Sequence, residues 1–278
     1  MNSLRPKAAF FDIDGTLVPY DTRCISQADR EAVEALRGQG TLVFIVTGRH
    51  ICDVDNIPFP VDGAVCCNGA MTYAVKDGCA CFHERDRFEL IEHHPIPRAQ
   101  ALDIARIIAS RQIPSAVVFA TRTFSCHLSR QALAFVRRAN MPDLKEGDIL
   151  EAAENECIYT FCPFVSPEEE SLLFGEQVRG LDTSRWCREY CDISVRGFDK
   201  AGGMKRILDL YQIDTSDIIA FGDGSNDIGM LEFAGCGIAM GNAADEVKSA
   251  ADQVTASVND NGVSKWLSAL ETRANSRG

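Results

Sequence analysis

The chain has 278 residues, of which 46% are hydrophobic and 24% are charged, and its formal net charge is −12. This acidic balance opposes binding to nucleic acids and to anionic membranes, both of which need a basic stripe, so we expect no nucleic-acid partner. It permits a small anionic substrate, because a bound cation can set the local charge at a site. No apolar run approaches the ~18 residues that span a bilayer, so we expect no membrane partner.

The N-terminus and the cysteines indicate a compartment. Residues 1–7 lead straight into an apolar run without a cleavable signal segment, so we expect the protein in the cytoplasm. Twelve cysteines are spread along a chain of ordinary size, and a reducing cytoplasm would keep them as thiols. The length of the chain exceeds that of one ordinary core and predicts two domains.

The first predicted strand carries two aspartates at its end. The apolar run of residues 8–11 predicts a buried strand, which Asp12, Asp14 and Gly15 follow. Residues i and i+2 of an extended chain share a face, so both carboxylates leave the strand on one side. Two carboxylates this close repel each other unless a proton or a metal ion separates their charges. A plain strand followed by an Asp-Gly turn would have the same local sequence.

The parts of the chain before residue 84 and after residue 191 alternate strands and helices. Their predicted elements are a helix at 26–37, strands at 41–46 and 64–67, a hairpin over 71–82 that turns at 76–78, a helix at 199–211, a strand at 218–221, a helix ending at 233, a strand at 237–240, a helix capped by Asn242 that runs to about 250, and a helix at 262–272. Continuous apolar runs are typical of parallel strands that helices cover on both faces. We therefore predict an α/β core with a doubly wound, Rossmann-like parallel sheet for residues 1–83 and 192–278.

The middle of the chain has a different pattern, with short strands interleaved among helices. Its predicted elements are helices at 98–111, at 130–138 and from Ser166, and strands at 115–120, 123–128, 157–161 and 192–195. Short strands of this kind are typical of antiparallel sheets. We predict a second, smaller α+β domain over residues 84–191, inserted into the core domain.

Three predicted core strands end in polar side chains. They are Asp12 and Asp14 after the first strand, Thr47 after the second, and Asp223, Asn226 and Asp227 after residues 218–221. In an open doubly wound sheet, ligands bind beyond the carboxyl ends of the strands, so these groups are expected to meet. Carboxylates without histidine or cysteine favour a hard cation, and Mg²⁺ shared with a phosphate is the usual case. The pattern predicts metal-assisted phosphoryl transfer.

Four segments, in their order along the chain, resemble the four motifs of the haloacid dehalogenase (HAD) superfamily. They are residues 11–17 (FDIDGTL), residues 47–49 (TGR), Lys200 and residues 222–227 (GDGSND). Residues 68–70 (NGA) and the long insertion before Lys200 make the chain similar to the Cof-type phosphatases of subclass IIB, which carry a C2-type cap. The resemblance implies an HAD-like core and a cap domain that governs substrate choice.

The resemblance implies a catalytic role for each matched residue. Asp12 would be the nucleophile that forms an aspartyl-phosphate, and Asp14 would be the general acid and base. Thr47 and the backbone amide of Gly48 would bind the phosphoryl oxygens, and Lys200 would balance the charge of the phosphate and the nucleophile.

The resemblance also implies a Mg²⁺ site. The ion would be held by the carboxylates of Asp12 and Asp223 and by the backbone carbonyl of Asp14. Asp227 or Asn226 would support it through water. The resemblance further implies that Asn226 contacts the substrate.

Each of these residues alone has a structural explanation. Thr47 could cap a turn, Lys200 could be a solvated lysine at the start of a helix, and Asp223 could cap a helix. Arg49 could contact the substrate or pair with a core acid. Ala201 follows Lys200 where the family usually has glycine. The joint order of the segments favours the functional interpretation.

The expected function is hydrolysis of small phosphorylated metabolites, with sugar phosphates first. The cap would close over the site and contact the organic part of the substrate. A phosphomutase using the same aspartyl-phosphate is an alternative, and a non-enzymatic, receiver-like phospho-acceptor is another. Asp14 argues against the receiver, because an acid/base group would make the acyl phosphate short-lived. We expect a monomer or a small homo-oligomer.

Overall fold

A computed structural model describes residues 5–22, 24–120, 122–138 and 145–275, in which the chain forms two units. The described residues up to His93 and from Asp199 onward form the first unit, and His94–Phe198 form the second. Both boundaries lie further along the chain than the sequence predicted, at 93 instead of 83 and at 198 instead of 191. The reason is the pairing of β-strands near both boundaries.

The bounds of the regular elements follow in chain order. The strands are β1 (Ala8–Phe11), β2 (Leu42–Val46), β3 (Gly63–Cys66), β4 (Met71–Val75), β5 (Phe88–His93), β6 (Ser115–Phe119), β7 (Thr123–Cys126), β8 (Ile158–Pro163), β9 (Leu181–Cys187), β10 (Tyr190–Val195), β11 (Ile218–Gly222), β12 (Cys236–Ala239) and β13 (Gln253–Val254). The helices are α1 (Gln27–Gly38), α2 (Arg98–Arg111), α3 (Arg130–Arg138), α4 (Ile149–Asn155), α5 (Pro167–Phe174), α6 (Lys200–Tyr211), α7 (Ile228–Phe233), α8 (Asp245–Ala250) and α9 (Gly262–Asn275). In the described part of the chain, no helix combines the length and the apolar character needed to cross a bilayer.

The first unit is built on an eight-stranded sheet with the order β13-β12-β11-β1-β2-β3-β4-β5. The strands from β13 to β3 run parallel, and β4 and β5 add two antiparallel strands at one end. Because β5 pairs with β4, the first unit extends to His93. The central strand β1 lies between β11 and β2, so its carboxyl end has a strand end on either side.

Helices cover both faces of this sheet. Phe10 stacks on Phe44 with ring centroids 4.9 Å apart, and both belong to a buried cluster with side chains of α6 and α7. The next residue, Phe11, points to the opposite face and stacks on Phe221 at 5.1 Å. The Phe221 ring in turn meets Trp266 of α9 at 5.4 Å. Burial on two faces explains the continuous apolar runs and confirms the predicted doubly wound α/β fold.

The predicted hairpin over residues 71–82 is wrong. β4 pairs with β3 and β5 instead, while the arm after the turn forms an isolated bridge between Ala80 and Val61. Phe82 is buried and stacks on Phe88 of β5 with centroids 5.1 Å apart. The residues after the turn are therefore held by aromatic packing and not by the predicted pairing with β4.

The second unit is α+β, as predicted. Its sheet has the order β7-β6-β8-β10-β9 with antiparallel pairs throughout, and its core packs side chains of α2 and α4 against the sheet. Because β10 pairs with β8 and β9, residues 192–195 belong to this unit and not to the core. The sequence analysis missed α4, which has only seven residues, and β9, whose polar residues break the apolar alternation.

We expect Phe44→Ala to lower the free energy of unfolding by about 3–5 kcal/mol, because it removes a fully buried ring and leaves a cavity in the centre of the sheet. Leu210→Ala is a matched control, since Leu210 is 52% exposed on α6, and it should change stability by less than about 0.5 kcal/mol. Urea-induced unfolding followed by tryptophan fluorescence measures both values. Equal losses in the two variants would contradict the packing described above.

Candidate active site

Two neighbouring strand ends bring Asp12 and Asp223 together. The parallel pairing of β1 with β11 sets Phe11 opposite Phe221, and the amide of Asp12 donates to the carbonyl of Phe221 at 3.0 Å. The residues that follow the two strands therefore leave the sheet side by side. The sequence placed both aspartates at strand ends, and the register brings them to one place.

Lys200 lies between two of the carboxylates. It opens α6, which Asp199 caps by accepting a bond from the amide of Gly202 at 2.7 Å. The Lys200 Nζ donates to Asp12 Oδ1 at 2.6 Å and to Asp227 Oδ1 at 2.5 Å, and its side chain is 1% exposed. Lys200 is thus a buried counter-ion and not a solvated lysine.

Asp227 organises the loop after β11. Its Oδ1 accepts from Lys200, and its Oδ2 accepts from the amides of Asp223 at 2.9 Å and Gly224 at 2.8 Å. With both oxygens engaged, Asp227 fixes the loop and the lysine together.

The site holds more negative than positive charge. Burial, and then the Asp227 carboxylate, raise the pKa of Asp12 well above its usual range, although Lys200 opposes the shift. The same two causes raise the pKa of Asp223 to about 7, against the hydrogen bond from Thr16. Burial alone would lower the pKa of Lys200, but Asp12 and Asp227 outweigh it and raise that pKa. One ammonium thus faces three acids whose charges repel one another.

This arrangement fits a divalent cation. Within the residues that the structure describes, Asp12, Asp223 and Asp227 form the group that could hold a metal, with one carboxylate oxygen of each within 4.8 Å of the others. Oxygen ligands are those that Mg²⁺ prefers, and a cation would relieve the repulsion among the acids. The Asp14 carbonyl, the further ligand implied by the resemblance, accepts a hydrogen bond from the Tyr20 hydroxyl at 3.0 Å.

The side chain of Asp14 pairs with Arg49 and is not one of the three acids of this group. Its two oxygens accept from Arg49, from Nε at 2.8 Å and from Nη2 at 2.5 Å, and 41% of the side chain is exposed. Arg49 is held in turn by the carbonyl of Asp53 and by Asn56. The sequence left the partner of Arg49 open, and the structure pairs it with Asp14. A two-pronged ion pair of this kind sets the orientation of both side chains.

The residues predicted to bind the phosphoryl group lie beside β1. Thr47 follows β2, is 1% exposed, and its hydroxyl accepts from the amide of Arg49 at 3.1 Å. Asn226 donates from its amide to Asn68 Oδ1 at 3.0 Å. Gly48 also faces Asn68, because a Cβ on Gly48 would lie 3.2 Å from the same oxygen. Asn68 therefore joins two of the predicted binding residues.

The role of the Asn68 side chain was not predicted from the sequence, although Asn-Gly pairs are typical of turns with left-handed backbone. Asn68 has φ 51° and ψ 37°, a left-handed conformation that asparagine tolerates better than most residues. Thr16, which the motif places beside Gly15 without a role of its own, donates from its hydroxyl to Asp223 Oδ1 at 3.1 Å. Both contacts depend on loop conformations that local sequence patterns do not define.

The predicted cap at Asn242 is wrong. α8 begins at Asp245, its N-cap is Ala244, and no side chain caps it. The Asn242 amide instead donates to Asp223 Oδ2 at 3.0 Å. Gly15 also packs against this carboxylate, since it has φ +85° and a Cβ there would lie 2.1 Å from Asp223 Oδ2. The loop after β1 therefore requires glycine at this position.

Comparisons with known proteins identify the family of this chain. The family model described as haloacid dehalogenase-like hydrolase matches residues 9–267. The 5-amino-6-(5-phospho-D-ribitylamino)uracil phosphatase YitU of Bacillus subtilis (strain 168) is 28% identical over 95% of this chain and 97% of its own. The pyridoxal phosphate phosphatase YbhA of Escherichia coli (strain K12) is 27% identical over 87% and 90%. The solved structure of the HAD subclass IIB sugar phosphatase BT4131 has a TM-score of 0.80 at 30% identity, covering 95% of this chain and 99% of its own.

The chain belongs to the haloacid dehalogenase-like hydrolases. Within that family it is a Cof-type phosphatase of subclass IIB, and the predicted family, fold class and enzyme class are confirmed.

We expect Lys200→Met to lower the free energy of unfolding by about 3–5 kcal/mol, because it leaves Asp12 and Asp227 buried without their counter-ion. Lys205→Met is the matched control, since Lys205 lies exposed on the same helix. Thermal and urea unfolding of the two variants beside the wild type measure the difference. A Lys200→Met protein as stable as its control would contradict the counter-ion role.

Proposed function

We propose that the protein is a Mg²⁺-dependent phosphohydrolase of small phosphorylated metabolites that works through an aspartyl-phosphate on Asp12. The observation that carries the proposal is the meeting of Asp12, Lys200, Asp223 and Asp227 at the ends of β1 and β11. Thr47 directly follows the neighbouring strand β2. The acids supply a cation site, and Lys200 and Thr47 supply donors for a phosphate.

Sugar phosphates are the first substrates to consider. The sugar phosphatase BT4131 supports this choice, and YitU and YbhA are named for phosphate esters of a ribityl pyrimidine and of pyridoxal. All three names describe phosphatases of small phosphorylated compounds, which is the substrate class we propose for this chain. The cytoplasmic location and the monomeric or small homo-oligomeric state stay predictions from the sequence.

Asp12 and Asp223 would hold the Mg²⁺ ion together with the carbonyl of Asp14, and Asp227 or Asn226 would support it. When bound, the ion neutralises charge on the phosphoryl oxygens. Asp227 keeps the loop that bears Asp223 in place, because its Oδ2 accepts from two amides of that loop.

Asp12 is the group we assign to attack. Its Oδ1 accepts from Lys200, so Oδ2 is the oxygen that forms the new bond to phosphorus while the bond from phosphorus to the ester oxygen breaks. Lys200 stays beside the carboxylate and offsets the charge that the incoming phosphate adds. The backbone amide of Gly48 and the Thr47 hydroxyl donate to the transferring oxygens.

Asp14 is the group we assign to move protons. A general acid must carry a proton and reach the leaving oxygen, so Asp14 releases Arg49 and turns toward the substrate. It donates its proton to the departing alcohol. In the second half, Asp14 takes a proton from water, the water oxygen bonds to phosphorus, and the bond between phosphorus and Asp12 breaks. Phosphate leaves, and Asp12 is again a free carboxylate.

We expect hydrolysis across a panel of phosphorylated sugars and cofactors to require added Mg²⁺ and to stop when EDTA removes it. Asp12→Asn should lower kcat/KM by more than about 10³-fold, because the amide cannot form the aspartyl-phosphate. Asp21→Asn is the matched control, since Asp21 is exposed on the loop after the same strand. Release of inorganic phosphate is the measurement. Undiminished hydrolysis by Asp12→Asn would overturn the proposal.

Asp14→Asn should lower turnover by about 10²–10⁴-fold with little change in stability, because the Asp14 side chain is part-exposed. The same variant tests the receiver-like alternative. A receiver-like protein would keep its phosphorylation without Asp14.

A phosphomutase would move labelled phosphate between substrate positions without releasing it, so stoichiometric phosphate release by the wild type rules that alternative out.

A further inference from the structure

One amide side chain joins three loops at the carboxyl end of the sheet. Asn242 follows β12, and its Nδ2 donates to the Gly15 carbonyl at 2.9 Å and to Asp223 Oδ2 at 3.0 Å. Its Oδ1 accepts from the amide of Val258 at 2.9 Å. Both hydrogens of the amide group and its oxygen are therefore used within the protein. The loops after β1, β11 and β13 are tied to one residue.

These bonds leave the Asp223 carboxylate little freedom. Thr16 donates to Oδ1, Asn242 donates to Oδ2, and Gly15 packs against the same group. A carboxylate held at both oxygens has one orientation in which both bonds form. Asn242 is exposed, so water could satisfy its amide equally well. Asn242 therefore does not need these hydrogen bonds to satisfy a buried amide. Their effect is to orient Asp223.

We propose that Asn242 is a positioning residue that sets the affinity and the selectivity of the site for Mg²⁺ by orienting the Asp223 carboxylate and the loop around Gly15. This inference rests on the proposed function, because it takes Asp223 as a ligand. Groups that orient metal ligands change metal affinity by about 10–100-fold when they are removed.

The inference predicts different effects on two ions. Mg²⁺ requires nearly ideal octahedral geometry, whereas Ca²⁺ accepts irregular sets of oxygen ligands. An Asp223 carboxylate that is free to turn should therefore bind Mg²⁺ much less well and Ca²⁺ only slightly less well. A purely structural role for Asn242 would weaken both ions alike or neither.

Titration calorimetry of the full chain with MgCl₂ and with CaCl₂, without substrate, tests the inference. We expect Asn242→Ala to weaken Mg²⁺ binding by about 10–100-fold and to lower the ratio of Mg²⁺ to Ca²⁺ affinity. Asn242→Ser should also weaken Mg²⁺ binding, because serine has one donor on a shorter side chain. It removes fewer atoms than Asn242→Ala does. Asn259→Ala is the matched control, since Asn259 is exposed beside Val258, and it should leave both affinities unchanged.

Unchanged Mg²⁺ affinity in a folded Asn242→Ala protein would overturn the inference, and so would equal weakening of both ions. Failure of both the alanine and the serine variants to fold would also overturn it, because the role would then be structural. Absence of Mg²⁺ binding in the wild type is a separate result. It would remove the metal from the proposed function before any variant is compared.

Discussion

The buried ammonium of Lys200 holds together two parts of the chain that carry the chemistry. It bonds Asp12 after β1 and Asp227 after β11, and the three groups are almost inaccessible to solvent. Buried charges are tolerated only when they are paired and hydrogen-bonded, so each member depends on the others. Asp227 passes this constraint on to the backbone, because its second oxygen accepts from the amides of Asp223 and Gly224. The charge balance of this site and the conformation of the loop after β11 therefore depend on the same residue, Asp227.

The sheet supplies what this cluster needs. Parallel strands that are buried on both faces end at a common edge, and β1 lies between β2 and β11. The strand-end positions of Asp12, Thr47 and Asp223 therefore could be predicted from the apolar runs before them. The starts of α1 at Ser26 and of α5 at Ser166 could be predicted as well, because both depend on short local patterns, and in the structure the two serines cap these helices.

Contacts between distant loops could not be predicted in this way. The pairing of Arg49 with Asp14 and the turn of Asn242 toward Asp223 join residues 35 and 19 positions apart through irregular backbone. Nothing in strand or helix periodicity specifies such geometry. The missed helix α4 and strand β9 have a different cause, since they are short or lack an apolar alternation and gain their stability from the second unit's core.

The central place of β1 in the sheet has a consequence for biosynthesis. β1 is made first, but its neighbour β11 follows only after the whole inserted unit, and Thr16 and Asp223 are 207 residues apart. On the ribosome, the nascent chain exposes one unpaired edge of an apolar strand until β11 emerges, which is a state prone to association with other chains. Catalytic competence requires residues 218–227, so a chain that ended before them would have an open sheet edge and would lack Asp223 and Asp227.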